Sequence, residues 1–251
     1  MEKIVLLGDE AVALAAVHAG LTAAYSYPGT PASEIMEYLI KISEGGKKFT
    51  ARWCVNEKVA CEEALGVSFA GKRALVSFKH VGLNVAADPF INSAITGANG
   101  GLVVVVADDP GMHSSQDEQD SRYYADFARI LCFEPASHQE AYDMTREAFD
   151  LSERFGLPVL VRLVTRLAHS RSSVQPRGPR EPNQRLELGN WQDWTLLPTN
   201  ARRRFRLLLE RQKELLEYSE NCRYNELNLN PSGSRLGVVV SGIAYNYFKE
   251  V

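Results

Sequence analysis

Cysteine is scarce: Cys54, Cys61, Cys132 and Cys222 are the only 4 in 251 residues. None forms a C-x-x-C pair, so the spacing excludes a disulfide scaffold, a zinc site and an iron–sulfur cluster. It predicts reduced, mostly buried thiols in a cytoplasmic protein. Basic charge is not in excess either, with Lys+Arg 28 against Asp+Glu 31 and a formal net charge of −3. That excludes a polybasic nucleic-acid binder. No run approaches the roughly 18 apolar residues of a membrane span. The start, Met1-Glu2-Lys3-Ile4, is not a secretory signal, because strand-like residues begin at once. Walker A, G-x-G-x-x-G, G-x-S-x-G and H-E-x-x-H patterns are all missing. What remains is a chain with 45% hydrophobic and 24% charged residues, long enough to bury a sizeable core.

Charge divides the chain. Residues 1–170 carry 15 Lys/Arg and 22 Asp/Glu, whereas residues 171–235 carry 12 and 8. Apolar runs stop near Leu167, and a Pro/Arg/Ser stretch follows. The division predicts an α/β domain over 1–170, a basic connector over 171–235, and the start of a further domain over 236–251.

The first part alternates. Short strands are expected at Ile4–Leu7, Ala23–Tyr27, Phe49–Val55, Ala74–Phe78, Leu102–Ala107, Leu131–Phe133 and Pro158–Val164. Helices are expected at Asp9–Ala19, after Pro31 through Ile42, at Asn56–Ala70, from about Gly82, at Ser115–Arg129 and at Ser137–Phe155. Strands apolar on both faces, alternating with amphipathic helices, predict a doubly wound, mostly parallel sheet covered on both sides. Ligands in such sheets bind beyond the C-terminal strand ends. In the connector, Arg202–Ser219 reads as a basic amphipathic helix with Phe205, Leu208, Leu209 and Leu216 on its apolar side. Trp191 and Trp194 nearby favour a strap across the first domain over a helix lying on lipid. Leu236–Ser241 reads as a strand and Ala244–Val251 as the beginning of a helix. These few elements cannot bury their own apolar faces, so a missing domain is expected.

Four turns at strand ends hold the polar residues. Thr30 before Pro31 fits an N-cap with a first-turn proline, or a hydroxyl aimed at an anion. Glu57 after Asn56 fits an acid favoured by the helix dipole. It also fits a carboxyl held against Val55, Val59 and Ala60, where its pKa would rise and it could share a proton with a heterocycle. His80, in Lys79-His80-Val81-Gly82-Leu83-Asn84, is either a satisfied structural histidine or part of a ligand site. The loop Asp108–Glu118, which contains Asp109 and His113, is the most polar segment. Ser115 and Glu118 in it form a capping-box pattern, and no ligand spacing in it supports Mg²⁺.

Together these turns carry a resemblance. Tyr27-Pro28-Gly29-Thr30-Pro31, Val55-Asn56-Glu57-Lys58-Val59-Ala60, Lys79-His80-Val81-Gly82-Leu83-Asn84-Val85-Ala86 and Val105-Val106-Ala107-Asp108-Asp109-Pro110-Gly111 occur in this order. The chain resembles the alpha subunits of the indolepyruvate:ferredoxin oxidoreductase family, thiamine diphosphate enzymes of the 2-oxoacid:ferredoxin oxidoreductase superfamily. The similarity continues through Leu197-Pro198-Thr199-Asn200-Ala201-Arg202 and Leu236–Tyr245.

The resemblance implies that residues 1–170 are a pyrimidine-binding domain. Glu57 would hydrogen-bond the aminopyrimidine of thiamine diphosphate, favouring the tautomer that takes the thiazolium proton. An arylpyruvate would then lose carbon dioxide, electrons would pass through [4Fe-4S] clusters to ferredoxin, and coenzyme A would accept the acyl group. His80, Val81, Gly82 and Leu83 would pack on the pyrimidine, with Gly82 permitting close backbone approach. Thr30 would face the substrate or thiazolium, and the loop with Asp109 and His113 would border the substrate entrance. No metal ligand is expected on this chain. Mg²⁺ with the diphosphate, and the clusters, belong in that family to a diphosphate-binding domain and a ferredoxin-like module that these residues do not contain. The expectation is therefore an N-terminal piece of a larger cytoplasmic subunit, inactive alone, dimeric, and partnered by a beta/gamma-type subunit without membrane or nucleic acid. A non-catalytic assembly module that keeps the same domain shape is the alternative; a flavodoxin-like carrier is a third reading. The thiamine diphosphate reading requires Glu57 to face Gly82.

Overall fold

The computed structural model describes residues 2–46, 49–184, 187–229, 233 and 236–251. The main sheet holds β2 (Ala23–Ser26), β3 (Thr50–Trp53), β4 (Ala74–Lys79), β5 (Leu102–Asp108), β6 (Cys132–Phe133) and β7 (Val159–Val164). Their order is β3-β2-β4-β5-β7-β6, and every pairing is parallel. β5 is buried along its whole length. Its valines are stiff at χ1, fit a pleated surface, and are apolar on both faces, which is what a central parallel strand needs. β3 and β6 are the edges.

Helices cover both faces. On one side lie α1 (Gly8–His18), α2 (Ser33–Glu44) and α7 (His138–Phe155); on the other lie α3 (Glu57–Phe69), α4 (His80–Val85) and α5 (Ala87–Thr96). α6 (Arg122–Ala128) packs on α5, and α8 (Thr165–Ala168) follows β7. Side chains set the helix starts. The Asn56 carboxamide oxygen accepts from the Val59 amide at 2.9 Å, and the Ser137 hydroxyl accepts from the Glu140 amide at 3.2 Å. The chain runs from β2 to the β3 edge and returns to β4 on the other side of β2. That reversal opens a crevice beyond the carboxyl ends of β2 and β4, where ligands of doubly wound sheets bind.

Several expectations need correction. Ile4–Leu7 (β1) is not a buried strand of the main sheet. It pairs antiparallel with β8 (Arg171–Val174) in a separate ribbon, and Val5 is 64% exposed. The turn after β2 delays α2: the Ala32 amide donates to the Gly29 carbonyl and the Gly29 amide to Ser33 Oγ. Thr30 is therefore exposed and caps nothing, and the Thr30–Pro31 peptide is cis. α4 begins at His80, two residues before Gly82. The helix expected over Ser115–Arg129 is confined to α6, because carboxylates capture the backbone amides of Gly111, Ser114 and Ser121. Glu118 accepts from the Gly111 amide instead of closing a box on Ser115, and Asp109 accepts from the Ser114 amide. Gly237–Ser241, expected within a strand, is irregular, with Val239 fully exposed; among the described residues no strand pairs with it.

The connector lies on the α/β unit. Trp194 stacks on Phe69 with ring centroids 4.4 Å apart. α9 (Pro198–Glu220) packs against α5. Its buried residues are Leu208 and Leu215, not the whole Phe205-Leu208-Leu209-Leu216 set expected. Arg204 and Arg211 share that face: Arg204 Nε donates to the Ile95 carbonyl at 3.1 Å, and Arg211 Nη1 to the Gly156 carbonyl at 3.2 Å. The two guanidinium groups thus sit at the C-terminal ends of α5 and α7, where cations are favoured. α10 (Ala244–Glu250) rests on the same unit through Asn246, whose amide donates to the Ala136 carbonyl at 2.7 Å. Among the described residues, no helix is long and apolar enough to cross a membrane.

Candidate functional site

The crevice is built from the ends of β2, β4 and β5 and the start of α3. Glu57 is the first residue of α3, placed there by the Asn56 cap. Its carboxyl is half-buried. Burial pushes its pKa up, partly opposed by a hydrogen bond from its own amide. No charged neighbour contributes to that shift; Lys58 pairs with Asp88 at 3.0 Å instead. Val55, expected to shelter Glu57, is 79% exposed. The shelter comes from Gly82 on α4: a Cβ built there would lie 2.7 Å from Glu57 Oε1 and 2.9 Å from its Cγ.

α4 presents the rest of its motif around that contact. His80 is completely buried. Its Nε2 lies 3.1 Å from the Asp117 carbonyl and 3.4 Å from an Asp117 carboxylate oxygen, and its Nδ1 has no partner within the described chain. Leu83 is wholly inside the core, while Val81 is half-buried. His80 therefore ties α4 to the acidic loop, Leu83 anchors the helix, Gly82 is buried against Glu57, and Val81 is the part-exposed member of the motif.

A second cluster surrounds Thr30. The Ser114 hydroxyl donates to the Thr30 carbonyl at 3.5 Å, and the Lys79 ammonium to the Ser114 carbonyl at 3.3 Å. Asp109 is buried and shapes this loop. Thr165 Oγ1 donates to it at 2.6 Å and the Ser114 amide at 2.8 Å. Burial pushes its carboxyl up, but the bonds from Thr165 and Ser114 outweigh that and hold it well below the usual carboxylate range. His113 is exposed at the loop tip. The structure thus joins Glu57 to Gly82, His80 to the loop, and Thr30 to Ser114 and Asp109.

Sequence reasoning missed the support beneath the loop. Arg162, in β7, donates from Nε to Asp108 at 2.6 Å and also bonds Glu134. Asp108 accepts from the Ser121 amide at 3.0 Å. The available signal was one charged residue in each of two otherwise apolar strands, Arg162 within β7 and Asp108 closing β5. An apolar groove of about 540 Å³ between α5 and α6 lies beside the site, lined by Ile91, Tyr123, Tyr124 and Phe127 among others, and does not include Glu57. The cysteines are all free thiols, and burial pushes Cys61 and Cys132 up to about 12.

Residues 14–189 match the family described as pyruvate flavodoxin/ferredoxin oxidoreductase, thiamine diphosphate-binding. The chain is 43% identical to indolepyruvate oxidoreductase subunit IorA of Archaeoglobus fulgidus over 99% of its length and 40% of that protein. It is 42% identical to the subunit of the same name from Methanothermobacter thermautotrophicus over 98% of its length and 40% of that protein. It therefore spans about 40% of the length of these relatives. Among solved structures, the 2-oxoglutarate:ferredoxin oxidoreductase of Magnetococcus marinus shares the fold with a TM-score of 0.73 at 17% identity, over 99% of this chain and 50% of that one.

Proposed function

The chain belongs to the pyruvate flavodoxin/ferredoxin oxidoreductase, thiamine diphosphate-binding family, and from that membership we propose that it is the pyrimidine-binding part of an arylpyruvate oxidoreductase, with indolepyruvate the leading substrate. The relatives named for indolepyruvate support the substrate class. The observation that carries the reading is the half-buried Glu57 carboxyl, free of ion pairing among the described residues, with Gly82 across from it.

These residues fit the cofactor. A carboxyl whose protonated form is favoured by burial can share a proton with a ring nitrogen. A glycine opposite it leaves room for a flat ring to approach the backbone. When bound, thiamine diphosphate supplies a carbon nucleophile and an electron sink for decarboxylation of a 2-oxoacid. Glu57 holds and shares the proton. Gly82 and Val81 receive the ring, Leu83 anchors their helix, and His80 fastens that helix to the loop. Thr30 and His113 border the substrate side, and Asp109 positions that border without facing it.

In the proposed reaction one 2-oxoacid and one coenzyme A give acyl-coenzyme A, carbon dioxide, a proton and two electrons, which pass to ferredoxin. Mg²⁺ with the diphosphate, and the [4Fe-4S] clusters, would be held by other parts of the enzyme, including a diphosphate-binding domain, a ferredoxin-like module and a beta/gamma-type subunit, in a dimeric assembly. The dispersed thiols of this chain do not fit a cluster. In the assembled enzyme, Glu57→Gln lowers indolepyruvate- or phenylpyruvate-dependent ferredoxin reduction by on the order of 10²–10⁴. Activity retained within a few-fold overturns the assignment.

A further inference from the structure

Away from the crevice, three side chains converge with no role in the reading above. Asp9 lies in the first turn of α1, Glu34 in the first turn of α2, and His169 directly after α8. One ligand atom from each lies within 4.8 Å of the other two. His169 Nε2 is 3.2 Å from Glu34 Oε2. The helices meet closely here: a Cβ at Gly8 would strike the Leu167 carbonyl oxygen at 2.2 Å.

Asp9 is the unusual member. It is 0% exposed, and neither carboxylate oxygen has a hydrogen-bond partner among the described residues. Glu34 Oε2 takes no hydrogen bond either. A buried carboxylate without partner or counter-ion is unfavourable, because it loses its hydration and gains nothing. The adjacent acid, Glu10, is engaged with the Leu7 amide at 2.8 Å and adds negative charge. Among the described residues, no lysine or arginine forms an ion pair with Asp9 or Glu34. The two helix N-termini favour anions but do not supply Asp9 with a donor.

We propose that Asp9, Glu34 and His169 form a binding site for a divalent transition-metal cation of the zinc class, clamping α1, α2 and the chain after α8. A tetrahedral cation at about 2.0–2.2 Å from nitrogen and oxygen ligands requires ligand–ligand separations of roughly 3.3–3.6 Å; the three ligand atoms, all within 4.8 Å of one another, reach that spacing by side-chain movements of up to roughly an ångström. An imidazole with two carboxylates suits zinc and its neighbours better than calcium or magnesium, which prefer all-oxygen shells. Asp9 supplies a dry, fixed ligand. Glu34 and His169 are each about one-third exposed, leaving a side open to a water that completes the shell.

The test uses the 251-residue chain after chelator treatment, without thiamine diphosphate, so its outcome is independent of the cofactor reading. Zn²⁺ is titrated by calorimetry, with bound metal counted by elemental analysis. One saturable equivalent is expected, with affinity lowered at least tenfold in His169→Ala and in Asp9→Asn, and with a Zn²⁺-dependent rise in thermal midpoint lost in both. His169 is partly exposed, so its variant keeps the test valid should Asp9→Asn fold poorly. No saturable binding overturns the proposal. So does binding that survives His169→Ala unchanged, which would place the metal on thiols instead. Mg²⁺ competing as well as Zn²⁺ also overturns the stated metal class.

Discussion

Gly82 of α4 lies directly against the Glu57 carboxyl of α3: a methyl group at that position would stand 2.7 Å from Glu57 Oε1, inside any real contact distance. The blocking atoms are the end of a flexible side chain, not backbone, so the fold can accommodate Gly82→Ala by displacing the carboxyl. Alanine is also favoured over glycine inside a helix by about 1 kcal/mol. Stability and function should therefore separate. The thermal midpoint of Gly82→Ala is expected to equal or exceed that of the native chain, while ferredoxin reduction by the assembled enzyme falls at least tenfold. Activity within twofold of native would remove Gly82 from the site.

Glu57 also sets a pH signature on stability. Burial raises its pKa above the ordinary value of 4.5. Between the ordinary and the raised value the folded state binds more protons than the unfolded state, so stability falls as pH rises through that window and the loss is complete above it. Glu57→Gln abolishes the effect. Its thermal midpoint relative to native is expected to climb as pH rises above the ordinary glutamate value of 4.5 and then to level off. A difference that stays flat from acid to neutral pH would show that the carboxyl is fully solvated.

The Arg162–Asp108 pair makes a larger prediction. Both residues are buried, Arg162 within β7 and Asp108 at the carboxyl end of β5. Arg162→Met leaves buried Asp108 without its cation and Glu134 with Arg122 alone, which should cost about 3–5 kcal/mol, read as a lower urea midpoint. Adding Asp108→Asn removes one uncompensated charge and should recover part of that loss. If the double variant is less stable than the sum of the single ones, the pair is not the source of the cost.

Much of this was legible in the residues. The valines of β5 announced a strand covered on both faces, and Asn56 before Glu57 announced the start of α3. What failed was whatever depended on partners distant in sequence. The β1–β8 ribbon joins positions some 170 residues apart, and four residues carry too little periodicity to reveal a second sheet. Residues 115–121 read as the start of the Ser115–Arg129 helix by the Ser115/Glu118 capping pattern, and only three-dimensional placement lets Asp108, Asp109 and Glu118 capture the amides of Ser121, Ser114 and Gly111 first. The Asp9, Glu34 and His169 cluster has no sequence spacing at all, since three separate elements supply it.

The buried face of α9 shows the same limit and gives a prediction of its own. A count of apolar residues selects Phe205, Leu208, Leu209 and Leu216, yet the docked stripe is Arg204, Leu208, Arg211 and Leu215. The arginines belong to it because helix ends below present carbonyl oxygens that need donors. Leu208 is 3% exposed and Leu216 is 64% exposed. Leu208→Ala should therefore cost about 2–5 kcal/mol, through lost transfer energy and the cavity left behind. Leu216→Ala should change stability by no more than about 0.5 kcal/mol. Urea unfolding of the two variants side by side measures both. Equal effects would mean that α9 is not held on α5 by this face, because only a fixed orientation makes one leucine part of the core and leaves the other in water.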